Sequence, residues 1–321
     1  MTNKFGIQIE PQLGFDYKTV EKIALEGEKQ GYDSIWSSDH FFLDGKSEER
    51  NCMDAWSLIS ALAAVTKKIK LGTLVTCNSY RYPAVLAKMA ATVDMISNGR
   101  LFFGFGAGWK EMEYKAYGIP FPSTAERLYQ MEEAIVIIKR LWTEKRVTFT
   151  GKYYQLEDAV SAPKPVQKPH PPIMIGGMGE KILLKMVAKY ADYCNFFLRP
   201  NLERSLEILK AHCKVAGRDY NELGKSLFAV GIPLFVSESQ EEIEKYLKET
   251  AERYNRPLDQ IKERVKQDAP GSWVGTPEDL IERFRYLNNL GFDYFQIMFP
   301  GYDESIVKTS QTFAELVMKK L

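Results

Sequence analysis

The chain has 321 residues, 45% of them hydrophobic, which is enough for one large α/β domain or two smaller ones. Its 43 basic and 42 acidic residues leave a formal charge of +1. That balance gives no electrostatic footing for nucleic acid or an anionic membrane surface. Cys52, Cys77, Cys194 and Cys213 form no CxxC and no zinc spacing, so free thiols in a reducing cytosol are expected. The N-terminus has no apolar leader and no apolar run reaches bilayer length, which points to a soluble, cytoplasmic protein.

Strand-like and helical patterns alternate along the chain. The predicted first strand is Lys4 to Glu10, followed by a helix from Tyr17 to Gly31 with Val20, Ile23, Ala24 and Gly27 on one face. Asp33 to Ser38 reads as the second strand and Met53 to Thr66 as the next helix. Ile69 to Thr76 is the third strand, and Pro83 opens a helix expected to turn Val85, Leu86, Met89, Val93 and Ile96 inward. Arg100 to Gly106 is the fourth strand. A long connection follows, then a helix through Leu128, Ile135 and Trp142 with Ser123 and Glu126 as a capping box.

The Pro- and Tyr-rich segment from Thr143 to Pro172 reads as an inserted excursion, with a hairpin through "RVTFTGKYYQL". Pro171 to Gly177 and Asp192 to Phe197 are the fifth and sixth strands, with helices from Gly179 to Ala191 and Leu202 to Gly217. Ser226 to Ser237 is the seventh strand, Ser239 and Glu242 box the following helix, and a second irregular insertion spans Asn255 to Val274. Thr276-Pro277 starts a helix, Phe292 to Phe299 is the eighth strand, and Ser305 to Lys320 the last helix. Eight βα units with no linker predict a single domain over residues 1–321. The expected fold is a (β/α)8 TIM barrel with insertions after strands 4 and 7.

In this architecture chemistry gathers at the C-terminal strand ends. The second strand ends at Asp39-His40, where His40 is the candidate for proton chemistry and Asp39 could orient it or hold a cofactor edge. His170 reads as structural and His212 as solvated. The turn Gly176-Gly177-Met178-Gly179 runs straight into a helix and reads as an anion site, or as a plain βα turn. The glycines of "GFGAGW", ending at Gly108, either admit a cofactor ring or pack against the loop after Trp109. No HExxH, HxH, P-loop or GxSxG is present, so neither a metal nor a nucleophile elbow is expected, and an organic cofactor must supply any redox chemistry.

Four stretches in order, "GYDSIWSSDHF", "LGTLVTCNSYRYPAVLAKMAATVDMISNGRLFFGFGAGW", "APKPVQKPHPPIMIGGMGEK" and "LLKMVAKYADYCN", carry a resemblance. Together they are similar to the bacterial luciferase-like superfamily, most of all to its coenzyme F420-dependent oxidoreductases. The resemblance implies a hydride transfer between F420 and a small organic substrate, usually in a homodimer. The alternative it implies is an FMN-dependent two-component monooxygenase, using O2 and reduced FMN from a separate reductase. A non-catalytic flavin-binding barrel is a third reading. Carried over by position, Asp39 contacts the cofactor and His40 lies by the reacting ring edge. Leu74, Val75 and Thr76 match a bulge that often contains a non-proline cis peptide behind the ring, and Gly176 to Gly179 match the phosphate turn. The sugar-phosphate and alcohol dehydrogenases of the superfamily have a Trp and a Glu where this chain has Asp44 and Trp109. The role of that Glu would pass to Glu111 or Glu113.

Overall fold

The computed structural model describes residues 3–197, 202–228, 231–267 and 273–321. Eight short parallel strands close on themselves: β1 (Lys4–Ile9), β2 (Ser34–Ser37), β3 (Lys70–Thr73), β4 (Leu101–Gly106), β5 (Ile173–Gly176), β6 (Tyr193–Phe197), β7 (Gly224–Phe228) and β8 (Tyr294–Ile297). Each pairs with its successor, β8 pairs with β1, and the predicted barrel is thereby formed. Alternation along each strand sends one set of side chains outward against the helices and the other into the barrel. Phe5, Ile7 and Ile9 go outward into the main core, where Phe5 packs among Phe284, Phe295 and Phe313. Trp36, Leu74, Phe102, Met174, Phe228 and Tyr294 form a separate cluster inside.

The helices start where the sequence supplies acceptors for their first N–H groups. Asp16, Asp54, Ser123 and Ser239 each accept a bond from the backbone three residues on, an arrangement worth about 1 kcal/mol apiece. Thr276 and Asp279 complete a reciprocal capping box. The two predicted boxes are only half made. Ser123 and Ser239 cap as expected, but the Glu242 carboxylate instead takes the Ser237 hydroxyl.

The excursion after β4 contains the helix Thr124–Thr143 and the expected antiparallel hairpin, Val147–Thr150 with Gln155–Ala159. The second insertion differs from expectation. The predicted strand over 226–237 is two pieces: β7 ends at Phe228, and Phe235–Val236 pairs with Val274–Gly275 in a small parallel sheet of its own. Gly231, at φ +121°, and Pro233 prevent one continuous strand. The segment read as irregular contains a helix, Leu258–Gln267. Its Ile261 joins Ile232, Ile243, Tyr246, Leu247 and Val274 in a second small core.

At the mouth, the chain leaving β3 bulges through a cis Leu74–Val75 peptide before pairing with β4 again at Thr76–Cys77. Leu74 dips into the interior cluster and Val75 packs against it. A Cβ on Gly106 would lie 2.5 Å from Val75 Cγ2 and one on Gly176 2.9 Å from Val75 Cγ1. A Cβ on Gly104 would overlap the Thr73 carbonyl oxygen. These glycines therefore give room to the bulge of β3. Thr76 points away from the mouth, bonding Thr73 Oγ1 at 2.6 Å and accepting from Trp56 Nε1.

Because the obstacle at Gly104 is backbone, no rotamer change relieves it. Gly104→Ala is expected to destabilise the fold by about 3 kcal/mol, whereas Gly118→Ala, in open space but at φ +68°, costs about 1 kcal/mol. Urea denaturation of the two variants checks the order.

Candidate active site

The strand ends bring together two loops. The loop after β2 carries Asp39, His40, Phe41 and Phe42. The loop after β4 carries Gly108, Trp109, Lys110 and the short helix Glu111–Ala116. They are joined by Glu113, which has no solvent exposure. Its Oε2 accepts from His40 Nδ1 at 2.9 Å and from the Tyr80 hydroxyl at 2.6 Å. Its Oε1 accepts from the N–H groups of Phe41 and Phe42 and from Lys110 Nζ. Burial alone would raise this carboxyl. The bonds from His40 and Tyr80 and the nearby positive charge outweigh burial and bring it down to about 2.

An ionised acceptor on Nδ1 fixes the proton there. Whenever the His40 ring is neutral, its lone pair then lies on Nε2, on the other side. The His40 side chain is mostly enclosed, and its ring stands nearly perpendicular to Trp109, centroids 5.7 Å apart. Phe41 is stacked between Tyr80 and Tyr117 at 4.2 and 4.1 Å, which stiffens the loop carrying His40.

Asp39 is buried and serves the wall behind this pair. Arg81 grips both its oxygens, at 2.7 and 3.0 Å, and the Cys77 N–H donates to it at 2.9 Å. Burial pushes the Asp39 carboxyl up while Arg81 pulls against it. Arg81 also binds Asp54, the cap of the next helix, at 2.5 Å. Burial raises the Cys52 and Cys77 thiols to about 12, so neither is poised as a nucleophile.

Several sequence expectations change here. Asp44 is exposed, and its carboxylate closes a turn on Lys46 N–H and the Ser47 hydroxyl. Glu111 pairs with Lys115 on the surface, so of the two acids considered only Glu113 reaches the site. Gly108, at φ +76°, packs against Tyr114 and Cys77, as in the packing alternative. His212 is half-buried on its helix, and its Nε2 donates to the Glu180 carbonyl oxygen at 2.9 Å. His170 is structural as expected, bonding the Pro171 carbonyl oxygen. The sequence reading did not find Tyr80 and Arg81, although both stand just past β3, which neighbours β2 in the barrel.

Across the mouth, β5 ends at Gly176. Gly177 takes φ +129° and donates to the Asn195 carbonyl oxygen, and Met178 packs on the core. Past Gly179 the helix Leu183–Tyr190 begins without a side-chain cap. The Leu184 N–H of its first turn is taken by the Gly179 carbonyl oxygen, and the uncapped turn leaves the other N–H groups for an anion. At the end of β3, Asn78 Oδ1 is buried without a partner. An unsatisfied acceptor and an uncapped helix fit a ring with a polar edge and an anionic tail. Among the described residues no group of three or more potential metal ligands occurs, and no helix is long and apolar enough to cross a membrane.

A family model described as luciferase-like monooxygenase matches residues 2–294. An F420-dependent glucose-6-phosphate dehydrogenase of Kineococcus radiotolerans is 39% identical over 173 residues, 52% of this chain and 48% of its own. The chain thus spans about half the length of that relative. A namesake from Amycolatopsis mediterranei is 27% identical over 96% of this chain and 95% of its own. An FMNH(2)-dependent dimethylsulfone monooxygenase of Pseudomonas putida is 25% identical over 93% and 87%. Among solved structures, an F420-dependent secondary alcohol dehydrogenase superposes with a TM-score of 0.79 over 99% of this chain and 98% of its own, at 23% identity, a likeness of fold.

The depressed Glu113 carboxyl has a measurable consequence. A carboxylate lowered by folding stabilises the protein above its ordinary value of 4.5, and that contribution is lost as pH falls from there towards about 2. Glu113→Gln is expected to be less stable at neutral pH by on the order of 2 kcal/mol. Its deficit should shrink across that acid window, as read by denaturant midpoints at stepped pH.

Proposed function

The chain belongs to the luciferase-like monooxygenase family, and we propose that it is an oxidoreductase moving a hydride between coenzyme F420 and a small organic substrate in the barrel mouth. The observation that carries this reading is His40, held by the buried Glu113 carboxylate at the C-terminal end of β2. The F420-dependent relatives support the choice of cofactor.

F420, when bound, supplies a ring carbon that accepts or gives the hydride. Val75 and Leu74 would back the ring, Asn78 Oδ1 would take a polar edge donor, and the turn Gly176–Gly179 with the uncapped helix would hold the phosphate-bearing tail. Asp39 holds Arg81 and the Cys77 N–H, which keeps this wall in place. As an alcohol loses its hydride, its hydroxyl proton passes to His40 Nε2, and in the opposite direction His40 returns that proton to the carbonyl oxygen. Glu113 balances the imidazolium in both directions.

A second reading is an FMN-dependent two-component monooxygenase, supported by the Pseudomonas relative. Titrating the protein with F420 and with FMN, and recording O2 uptake with reduced FMN, separates the two. F420 should bind about tenfold or more tighter than FMN. His40→Gln should lower kcat by about 10²- to 10⁴-fold while F420 is still retained. Tight FMN binding without F420 binding would overturn the F420 reading.

A further inference from the structure

Trp36, Trp56, Trp142 and Trp273 are each no more than 4% exposed, whereas Trp109 is 72% exposed. An indole left in water forgoes the burial energy that the other four obtain. It stands at the catalytic mouth, and its ring makes a corner of 85° with the His40 imidazole. Met112 and Tyr117, on the short helix after Trp109 and just past it, are also exposed, at 42% and 57%.

The two cations that reach Asp39 and Glu113 are already engaged, while Lys46 and Arg50 stand exposed farther along the loop after β2. Arg81 is held by Asp39 and Asp54, and Lys110 by Glu113 and the Phe42 carbonyl oxygen. Beside His40 the exposed side chains Trp109, Met112 and Tyr117 are therefore apolar, and Arg81 and Lys110 are neutralised.

We propose that Trp109 is the substrate platform and selects an uncharged, planar aromatic alcohol or carbonyl compound. The aromatic part stacks on the indole, and the corner then directs its oxygen to His40 Nε2. Planarity follows from the offset stacking that aromatic faces prefer, and absence of charge from the pairing of Arg81 and Lys110, the cations bound to Asp39 and Glu113. This rests on the proposed role of His40 as the group that meets the reacting oxygen.

Equilibrium dialysis tests it with 2-naphthylmethanol, propan-2-ol and glucose 6-phosphate as probes. The proteins are the wild type, Trp109→Ala and Trp109→Phe, each without cofactor and with F420. Because Trp109 is exposed, the variants should keep the wild-type melting temperature. The wild type should bind 2-naphthylmethanol about tenfold tighter than Trp109→Ala and tighter than either other probe. Trp109→Phe should recover most of the loss, and F420 affinity should be unchanged. Equal binding of 2-naphthylmethanol by wild type and Trp109→Ala overturns the proposal, as does preferred binding of glucose 6-phosphate or loss of F420 from Trp109→Ala. If F420 binds none of the proteins but the 2-naphthylmethanol difference persists, the platform stands and the F420 reading falls. If F420 binds and the difference is absent, the platform alone falls.

Discussion

The Glu113 carboxylate, closed off from solvent, receives an imidazole N–H, a phenol, two backbone N–H groups and an ammonium. Such a charge is tolerated in a protein interior only when its lone pairs are met by donors, and here the donors come from loops after three strands. The same contact therefore does two jobs. It clips the loops after β2, β3 and β4 into one wall, and it determines which nitrogen of a neutral His40 keeps a lone pair. Asp39 repeats the arrangement one residue earlier, with Arg81 and the Cys77 N–H as its donors.

The floor of the mouth rests on a different constraint. The bulge after β3 packs Val75 on the interior cluster, and the neighbouring strands give way by carrying no side chain at Gly104, Gly106 and Gly176. Glycines that in sequence suggested a cofactor touching the backbone are thus first a response to the chain's own shape. Charged wall and apolar floor together frame a site in which the His40 imidazole and the exposed Trp109 indole are the prominent features.

The eight strands were legible because each is a short apolar run followed by a helix with its own periodicity, and only the run at 226–237 misled, since Gly231 and Pro233 redirect a continuous apolar stretch. His40 was legible from its place at a strand end. Its partner was not: Glu113 is 73 residues away and lies on a six-residue helix whose sequence looks solvated. Asp44 misled for the opposite reason, as a nearby acid that the chain uses to close its own surface turn. Local pattern reports which strand end a residue occupies, whereas the pairing of two loops across the mouth depends on barrel closure and is not written in either loop alone.

The account turns on the proton of His40, which the chain's three histidines make accessible to nitrogen NMR. Long-range ¹H–¹⁵N correlation spectra of the neutral rings, assigned with His40→Gln, report the tautomer of each. The hydrogen bonds predict Nδ1–H for His40 and His170 and Nε2–H for His212. Finding His40 as the Nε2–H tautomer would contradict the account, because Glu113 would then not hold the ring and no lone pair would face the substrate.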